Sequence, residues 1–206
     1  MMKTHEIAKA YNKIAAKYRD ARSSNTGMTY IKGFESDLVR PARILDLGCG
    51  TGVPVTKYLV ECGHCVHGID ISDKMIELAR ITVPKATFEV ADLTVWSSNN
   101  QYDAVTAWDS LFHISADLHK GILQKIYAML AFDGSFLFSA GGSAGEIQST
   151  MLGEKFFYSS LSPDDYVTIL TEIGFTGIKC EVDDPSGDGH VVITSRKPPN
   201  QSLEST

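Results

Sequence analysis

Long apolar runs are missing from this chain. None approaches the ~18 residues that a membrane-spanning helix needs, and the first residues, Met1 to Tyr18, hold no apolar block of the kind that starts a secretory signal. Cysteine is scarce. Cys49, Cys62, Cys65 and Cys180 are the four in 206 residues, too few to staple a chain of this length. Both absences point to a cytoplasmic protein with no membrane partner. Positive charge is also short: 19 Lys/Arg stand against 25 Asp/Glu, a net charge of -6, whereas a nucleic-acid partner asks for a basic face. The shortage is uneven. Residues 1–43 carry nine Lys/Arg against four Asp/Glu, and the remainder ten against twenty-one. No aromatics interleave with a basic cluster in that arm, so it reads as a solvated helix face. There is no internal repeat and no low-complexity stretch. Residues 197–206, polar and Pro-rich, read as a flexible tail.

What is present suffices for one core. Hydrophobic residues make up 43% and charged residues 21%, ordinary values for a globular domain, and this length fits a single domain. A first helix is predicted over residues 5–20, with Ile7, Tyr11, Ile14, Ala15 and Tyr18 on one face. A basic, polar connection follows to Pro41. Strand-like runs then alternate with helix-like ones. The strands are Arg43–Leu47, Cys65–Ile69, Thr87–Val90, Ala104–Trp108 and Ser135–Ser139; the helices are Val53–Cys62, Asp73–Arg80, Ala116–Leu130 and Pro163–Ile173. Ser72, Ser115 and Ser162 are placed to cap helices. Alternation of this kind builds a parallel sheet covered on both faces. The end breaks the rhythm: Phe175–Val182 and His190–Ser195 are joined by Asp183–Gly189, too short for a crossover, so they pair antiparallel. The expected fold class is α/β, a Rossmann-like doubly wound sheet of seven strands, mostly parallel with an antiparallel last strand.

The strongest local signal is Asp46-Leu47-Gly48-Cys49-Gly50-Thr51-Gly52, where the first strand hands over to a helix. Glycines there let the chain turn sharply and approach a ligand closely. Asp70 ends the next strand, about 20 residues on, where an acid accepts ribose hydroxyls. The spacing is G-x-G-x-G, with Val53 where the dinucleotide fingerprint wants its last small residue. Asp46, just before the turn, suits an ammonium group and repels a pyrophosphate. An amino-acid-bearing nucleoside therefore fits better than NAD.

Asp46–Gly52, then Gly68-Ile69-Asp70-Ile71-Ser72, then Ala91-Asp92-Leu93 resemble the successive motifs of class I S-adenosylmethionine-dependent methyltransferases of the small-molecule type. The resemblance runs from about Ile7 to Ser195. It implies one methyltransferase domain over 1–196, with 1–40 a helical cap and 141–161 a lid insertion. It also implies roles. Gly48, Cys49, Gly50 and Gly52 line the methionine half of S-adenosyl-L-methionine, with Asp46 nearby. Asp70 holds the ribose, Ile71 and Met75 pack on the adenine, Asp92 and Leu93 meet its amino edge, and Trp108 lies under the sulfonium. Tyr11 and Tyr18 resemble the helix that closes over the cofactor. Plain packing stays open for Ile71, Met75, Tyr11 and Tyr18, and turn-capping for Asp92. No carboxylate cluster resembles the magnesium site of catechol-type relatives, so no metal is expected.

Cys62-Gly63-His64-Cys65 spells a thiol–disulfide motif, but in the wrong place. A reactive pair sits at a helix N-terminus, whose dipole favours thiolate. Here a helix ends at Cys62, with Gly63 as its terminator, so the run is expected to be inert.

Methyl transfer is an in-line displacement, and the protein supplies alignment and sometimes a base. Ala107 to Ile114 lacks the signature of nucleobase and amide methylases, so a small-molecule acceptor is expected. Asp109 and His113 are candidate bases, and fixing the loop is the alternative for His113. With an ordinary imidazole pKa of ~6.5, a His113 base makes activity fall below that pH. His119 reads as an exposed or capping residue. The 141–161 insertion reads as a lid or an aromatic plug, with Glu146, Tyr158 and His190 as polar groups for the pocket. The alternatives to a methyltransferase are an oxidoreductase on a similar sheet and a catalytically silent cofactor-binding protein.

Overall fold

The computed structural model describes residues 4–22, 27–182 and 190–200. The Asp183–Gly189 link and residues 201–206 of the expected tail lie outside these. In chain order the elements are α1 (Thr4–Ala21), α2 (Met28–Ser36), β1 (Arg43–Leu47), α3 (Val55–Glu61), β2 (Cys65–Asp70), α4 (Asp73–Thr82), β3 (Thr87–Val90), β4 (Tyr102–Ala107), a 3₁₀ turn (Leu111–His113), α5 (Ala116–Met129), β5 (Leu130–Ala140), β6 (Gly145–Met151), β7 (Glu154–Ser160), α6 (Pro163–Ile173), β8 (Thr176–Val182) and β9 (Val191–Arg196).

Seven strands form one sheet in the order β3-β2-β1-β4-β5-β9-β8. The first five are parallel, and β9 inserts antiparallel between β5 and β8. This is the doubly wound sheet that the alternation predicts. Central β1 and β4 are buried on both faces, as parallel strands under two helical layers must be. One core packs α5 and α6 on the sheet through Leu123, Ile126, Phe136 and Tyr166. The other packs α2 and α3 through Ile31, Ile44, Leu59 and Trp108. Two of the expected caps form: Ser72 Oγ accepts from Met75 N–H, and Ser162 Oγ from Asp165 N–H.

Several expectations change. The basic connection contains α2, whose Met28, Ile31, Phe34 and Glu35 turn inward at helical spacing. Ser115 makes no side-chain cap; its hydroxyl donates to Asp117 instead. The fourth strand starts at Tyr102 and stops before Trp108. The 141–161 insertion is a two-stranded sheet, β6 against β7, turned by Leu152 and Gly153, both at positive φ. That is the backbone a two-residue hairpin loop requires.

Candidate functional site

Parallel strands deliver their carboxyl ends to one edge of the sheet, and there the loops enclose a cleft of about 930 Å³ measured out to its mouth. The β1 turn is its floor. Gly48 sits at φ 72, and a Cβ there would stand 2.3 Å from Ser110 Cβ, so this turn tolerates no side chain. Gly48 and Cys49 N–H both donate to the Ile69 carbonyl, fixing the β1 turn to the end of β2.

Asp46, Gly48, Cys49, Asp70, Ile71, Met75, Asp92, Leu93 and Trp108 all line the cleft. Gly50 and Gly52 stand off its wall, both at positive φ. Gly52 is buried against Val83 and Phe88, and Gly50 contributes its N–H to Asp70 Oδ2 at 2.9 Å. Asp70 Oδ1 accepts from Ser72 N–H at 2.8 Å. Burial outweighs these bonds and pushes the Asp70 carboxyl up to about 6. Asp46 accepts from Thr56 Oγ at 2.5 Å and Thr106 Oγ at 2.9 Å, and burial holds its pKa above the ordinary carboxylate range too. Burial, with Asp70 and Asp46 nearby, raises the Cys49 thiol well above its usual value, so it stays neutral. Asp92 caps its own turn, taking Thr94 N–H and Oγ–H on Oδ1; it therefore does both things open to it from sequence, capping and facing the cleft.

The far wall is α1. Tyr11 and Tyr18 reach into the cleft from it, while Ala10 and Ile14 pack on Phe156 of β7. The lid helix and the hairpin thus close on each other. Tyr11 O–H meets His113 Nε2 at 2.6 Å. His113 Nδ1 lies 3.4 Å from the Phe157 carbonyl, which assigns the ring proton to Nδ1 and leaves Nε2 to accept from Tyr11. Burial lowers the His113 pKa to about 4. The expectation of a near-neutral base is corrected: the ring is packed among Tyr11, Phe112, Phe156 and Tyr158, which disfavours its charged form.

Asp109, the other candidate base, sits at φ 50, an uncommon conformation held by Ser139. It is ion-paired to Arg22 at 2.8 Å. Sequence reading passed over Arg22, although it is the cation of the cleft wall and also donates to the Tyr18 hydroxyl oxygen at 2.7 Å. His119 is corrected outright. It is 1% exposed, bonding the Tyr166 hydroxyl through Nδ1 and the Leu111 and Ile114 carbonyls through Nε2, so it ties the 3₁₀ turn to α6. Its position one turn before Ile122 and Leu123, on the buried face of α5, was the signal. Glu146, Tyr158 and His190 lie outside the cleft wall; Tyr158 acts by packing on His113.

Residues 44–134 match the family described as a methyltransferase domain. The DhpI–SAH complex superposes with a TM-score of 0.77 at 21% identity, over 96% of this chain and 98% of that one. Over residues 44–134 the chain is similar to methyltransferase domains, and its fold is that of S-adenosylmethionine-dependent methyltransferases. The chain is likewise similar in fold to the magnesium protoporphyrin IX methyltransferase of Synechocystis with bound SAM, with a TM-score of 0.75, 16% identity and coverage of 96% and 98%. In sequence it is 26% identical to phosphoethanolamine N-methyltransferase of Plasmodium falciparum over 167 residues, 75% of this chain and 62% of that one. It therefore spans less than two thirds of the length of that relative. The motif reading holds for the fold and for the matched residues 44–134, and neither the oxidoreductase nor the silent-binder alternative finds support.

The Cys62–Cys65 run has a different explanation. Both thiols are free, and Cys65 is exposed rather than buried in β2. His64, between them, is 5% exposed. Its Nδ1 accepts from Ala42 N–H at 3.0 Å, and its Nε2 meets Glu35 Oε1 at 3.0 Å. The histidine staples α2 to the start of β1, at the opposite edge of the sheet from the cleft.

Proposed function

We propose that this chain transfers the methyl group of S-adenosylmethionine to a small organic acceptor held between α1, the 3₁₀ turn and the β6–β7 hairpin. The observation that carries the reading is the wall itself: Asp46, Asp70 and Asp92, from three separate strand ends, meet in one cleft beside the glycine turn. A cationic amino-acid nucleoside suits such a wall, and a dinucleotide pyrophosphate does not. Bound there, the cofactor supplies an electrophilic methyl group and its own leaving group. The chain's residues do the rest. Asp46 balances the ammonium group; Asp70 accepts the ribose hydroxyls; Asp92 and Leu93 meet the base edge, with Asp92 Oδ2 unengaged among the described residues. Ile71 and Met75 pack on the base. Gly48 and Cys49 give the floor, Gly50 and Gly52 shape the turn, and Trp108, Tyr11 and Tyr18 exclude water.

On the acceptor side, His113 stays neutral over the working range and, by accepting from Tyr11 through Nε2, holds the Tyr11 hydroxyl oxygen in place to orient the acceptor. Asp109, tied to Arg22, is the second polar group. Alignment therefore contributes more than proton removal. The names of similar proteins, phosphoethanolamine and magnesium protoporphyrin methyltransferases, support a small-molecule acceptor. The net charge of -6 disfavours nucleic acid. Among the described residues no helix is long and apolar enough to cross a membrane, and free thiols fit a cytoplasmic setting.

Titration calorimetry tests the cofactor. S-adenosylhomocysteine should bind and NAD should not, and Asp70→Ala should weaken binding by about 1–3 kcal/mol. Screening small organic acceptors with methyl-labelled cofactor tests the reaction. Binding of NAD with no response to S-adenosylhomocysteine would overturn the reading.

A further inference from the structure

We propose that Asn12 is a positioning residue: it ties the docking of α1, and with it the placement of Tyr11 on His113, to the loop that carries Asp70. The inference rests on the proposed methyl transfer, and it concerns how the two ends of that one cleft are coupled.

Tyr11 and Asn12 are neighbours on a helix, so their side chains diverge by about 100°. They grip two different walls. Tyr11 reaches His113 on the acceptor side at 2.6 Å. Asn12 reaches the N-terminus of α4 on the nucleoside side. Its Oδ1 accepts from Ser72 Oγ at 2.6 Å, and its Nδ2 donates to Asp73 Oδ1 at 2.5 Å. Ser72 is fully engaged by this. Its hydroxyl also accepts from Met75 N–H, and its own N–H holds Asp70 Oδ1 at 2.8 Å. A continuous chain of hydrogen bonds thus runs from Asp70 through Ser72 to Asn12, one residue from Tyr11.

The other ties of α1 do not do this. Arg22–Asp109 lies ten residues on, about 15 Å along the helix axis, and fixes only its far end. Lys13–Glu154 is an exposed pair, 64% and 29% accessible, of a kind that contributes little. Asn12 alone among these links the Asp70 loop to the part of α1 that carries Tyr11. Coupling is reciprocal: a ligand that orders Asp70 and Ser72 strengthens α1 docking, and a docked α1 strengthens that ligand's binding.

The test reads His113 by NMR titration of the full-length chain, with calorimetry of S-adenosylhomocysteine alongside. Docked α1 keeps His113 packed by Tyr11, Phe156 and Tyr158, with Asp109 the nearby carboxylate, and its pKa down at about 4. In Asn12→Ala the Tyr11 side of the ring should open to water and its pKa should rise from about 4 toward ~6.5, while S-adenosylhomocysteine binding weakens roughly two- to tenfold. The exchange variant Asn12→Asp/Asp73→Asn restores a donor opposite an acceptor and keeps an oxygen for Ser72, so it should return both readouts toward wild type. An unchanged His113 in Asn12→Ala would overturn the proposal. So would a shift that the exchange variant does not rescue, because that is general loosening of α1. If wild-type protein fails to bind S-adenosylhomocysteine, the functional reading falls instead, and the His113 titration still reads the Asn12 link.

Discussion

Two histidine clusters sit at opposite edges of the same sheet, built from similar parts and used differently. At the amino-terminal edge of the strands, His64 bonds Glu35, and Glu35 also takes Arg40 and Tyr58. At the carboxyl edge, His113 bonds Tyr11, and Asp109 takes Arg22. In the first cluster both ring nitrogens are engaged by backbone and carboxylate. Burial raises the Glu35 carboxyl, but bonds from His64 and Arg40 outweigh it and leave the pKa below the ordinary value. The second cluster lines a cleft, and there burial dominates: His113 falls and Asp70 rises. A satisfied network lowers the energy of the charged state and stabilises the fold. An incompletely compensated one disfavours the charged state instead, raising Asp70 and lowering His113 beside the cleft.

The largest expected effect breaks the functional cluster without touching the fold. His113→Ala should lower kcat by about 10²-fold through misplacement with whichever acceptor the labelled screen returns, while S-adenosylhomocysteine affinity falls no further than the roughly two- to tenfold expected of a loosened α1. Near-normal kcat would assign His113 to structure alone.

Glu35→Ala should do the reverse. It strands the buried His64 N–H, which costs about 2–3 kcal/mol, seen as a lower midpoint in denaturant with cofactor affinity unchanged. A variant that loses affinity in proportion would show that the two edges are coupled.

Acid should separate the clusters in a fixed order. In the proposed role Asp70 accepts the ribose as a carboxylate, so cofactor affinity should be full well above pH 6 and fall as pH drops through about 6. The kcat of the saturated enzyme should not fall through His113 until about pH 4. Glu35, with its lowered pKa, contributes stability that persists above its unfolded value and is lost only as pH falls through the lower folded one. Between pH 6 and 5 the protein should therefore release cofactor while staying folded, as calorimetry and near-ultraviolet dichroism at matched pH would report. Loss of fold and affinity together would remove the distinction.

The smallest effect is expected from Cys62→Ser/Cys65→Ser, within about 0.5 kcal/mol in stability and near wild type in cofactor affinity. A large loss would mean that the thiols, and not His64, are what the structure uses at that edge.

Much of this was written in the chain. The strand–helix alternation, the reversed end of the sheet, the glycine turn and its spaced acids are local signals, because a parallel strand needs a continuous apolar run and a close approach needs glycine. The hairpin was not legible. Residues of β6 are exposed along almost its whole length, so no alternation marks it, and Leu152-Gly153 is not a pair that announces a tight turn. The helix α2 was masked by Gly33 inside it and by the basic residues around it.

The sequence by itself determined the sheet, the cofactor-side motif positions and the absence of a long apolar span. Which histidine does what was decided only by tertiary structure. His64, His113 and His119 are alike in a sequence; a ring's role depends on which carbonyls, carboxylates and hydroxyls reach its two nitrogens, and on whether water does. Those neighbours come from 29 residues away for His64, 102 for His113 and 47 for His119. No local pattern encodes such pairs, because they exist only once the sheet has brought its edges together.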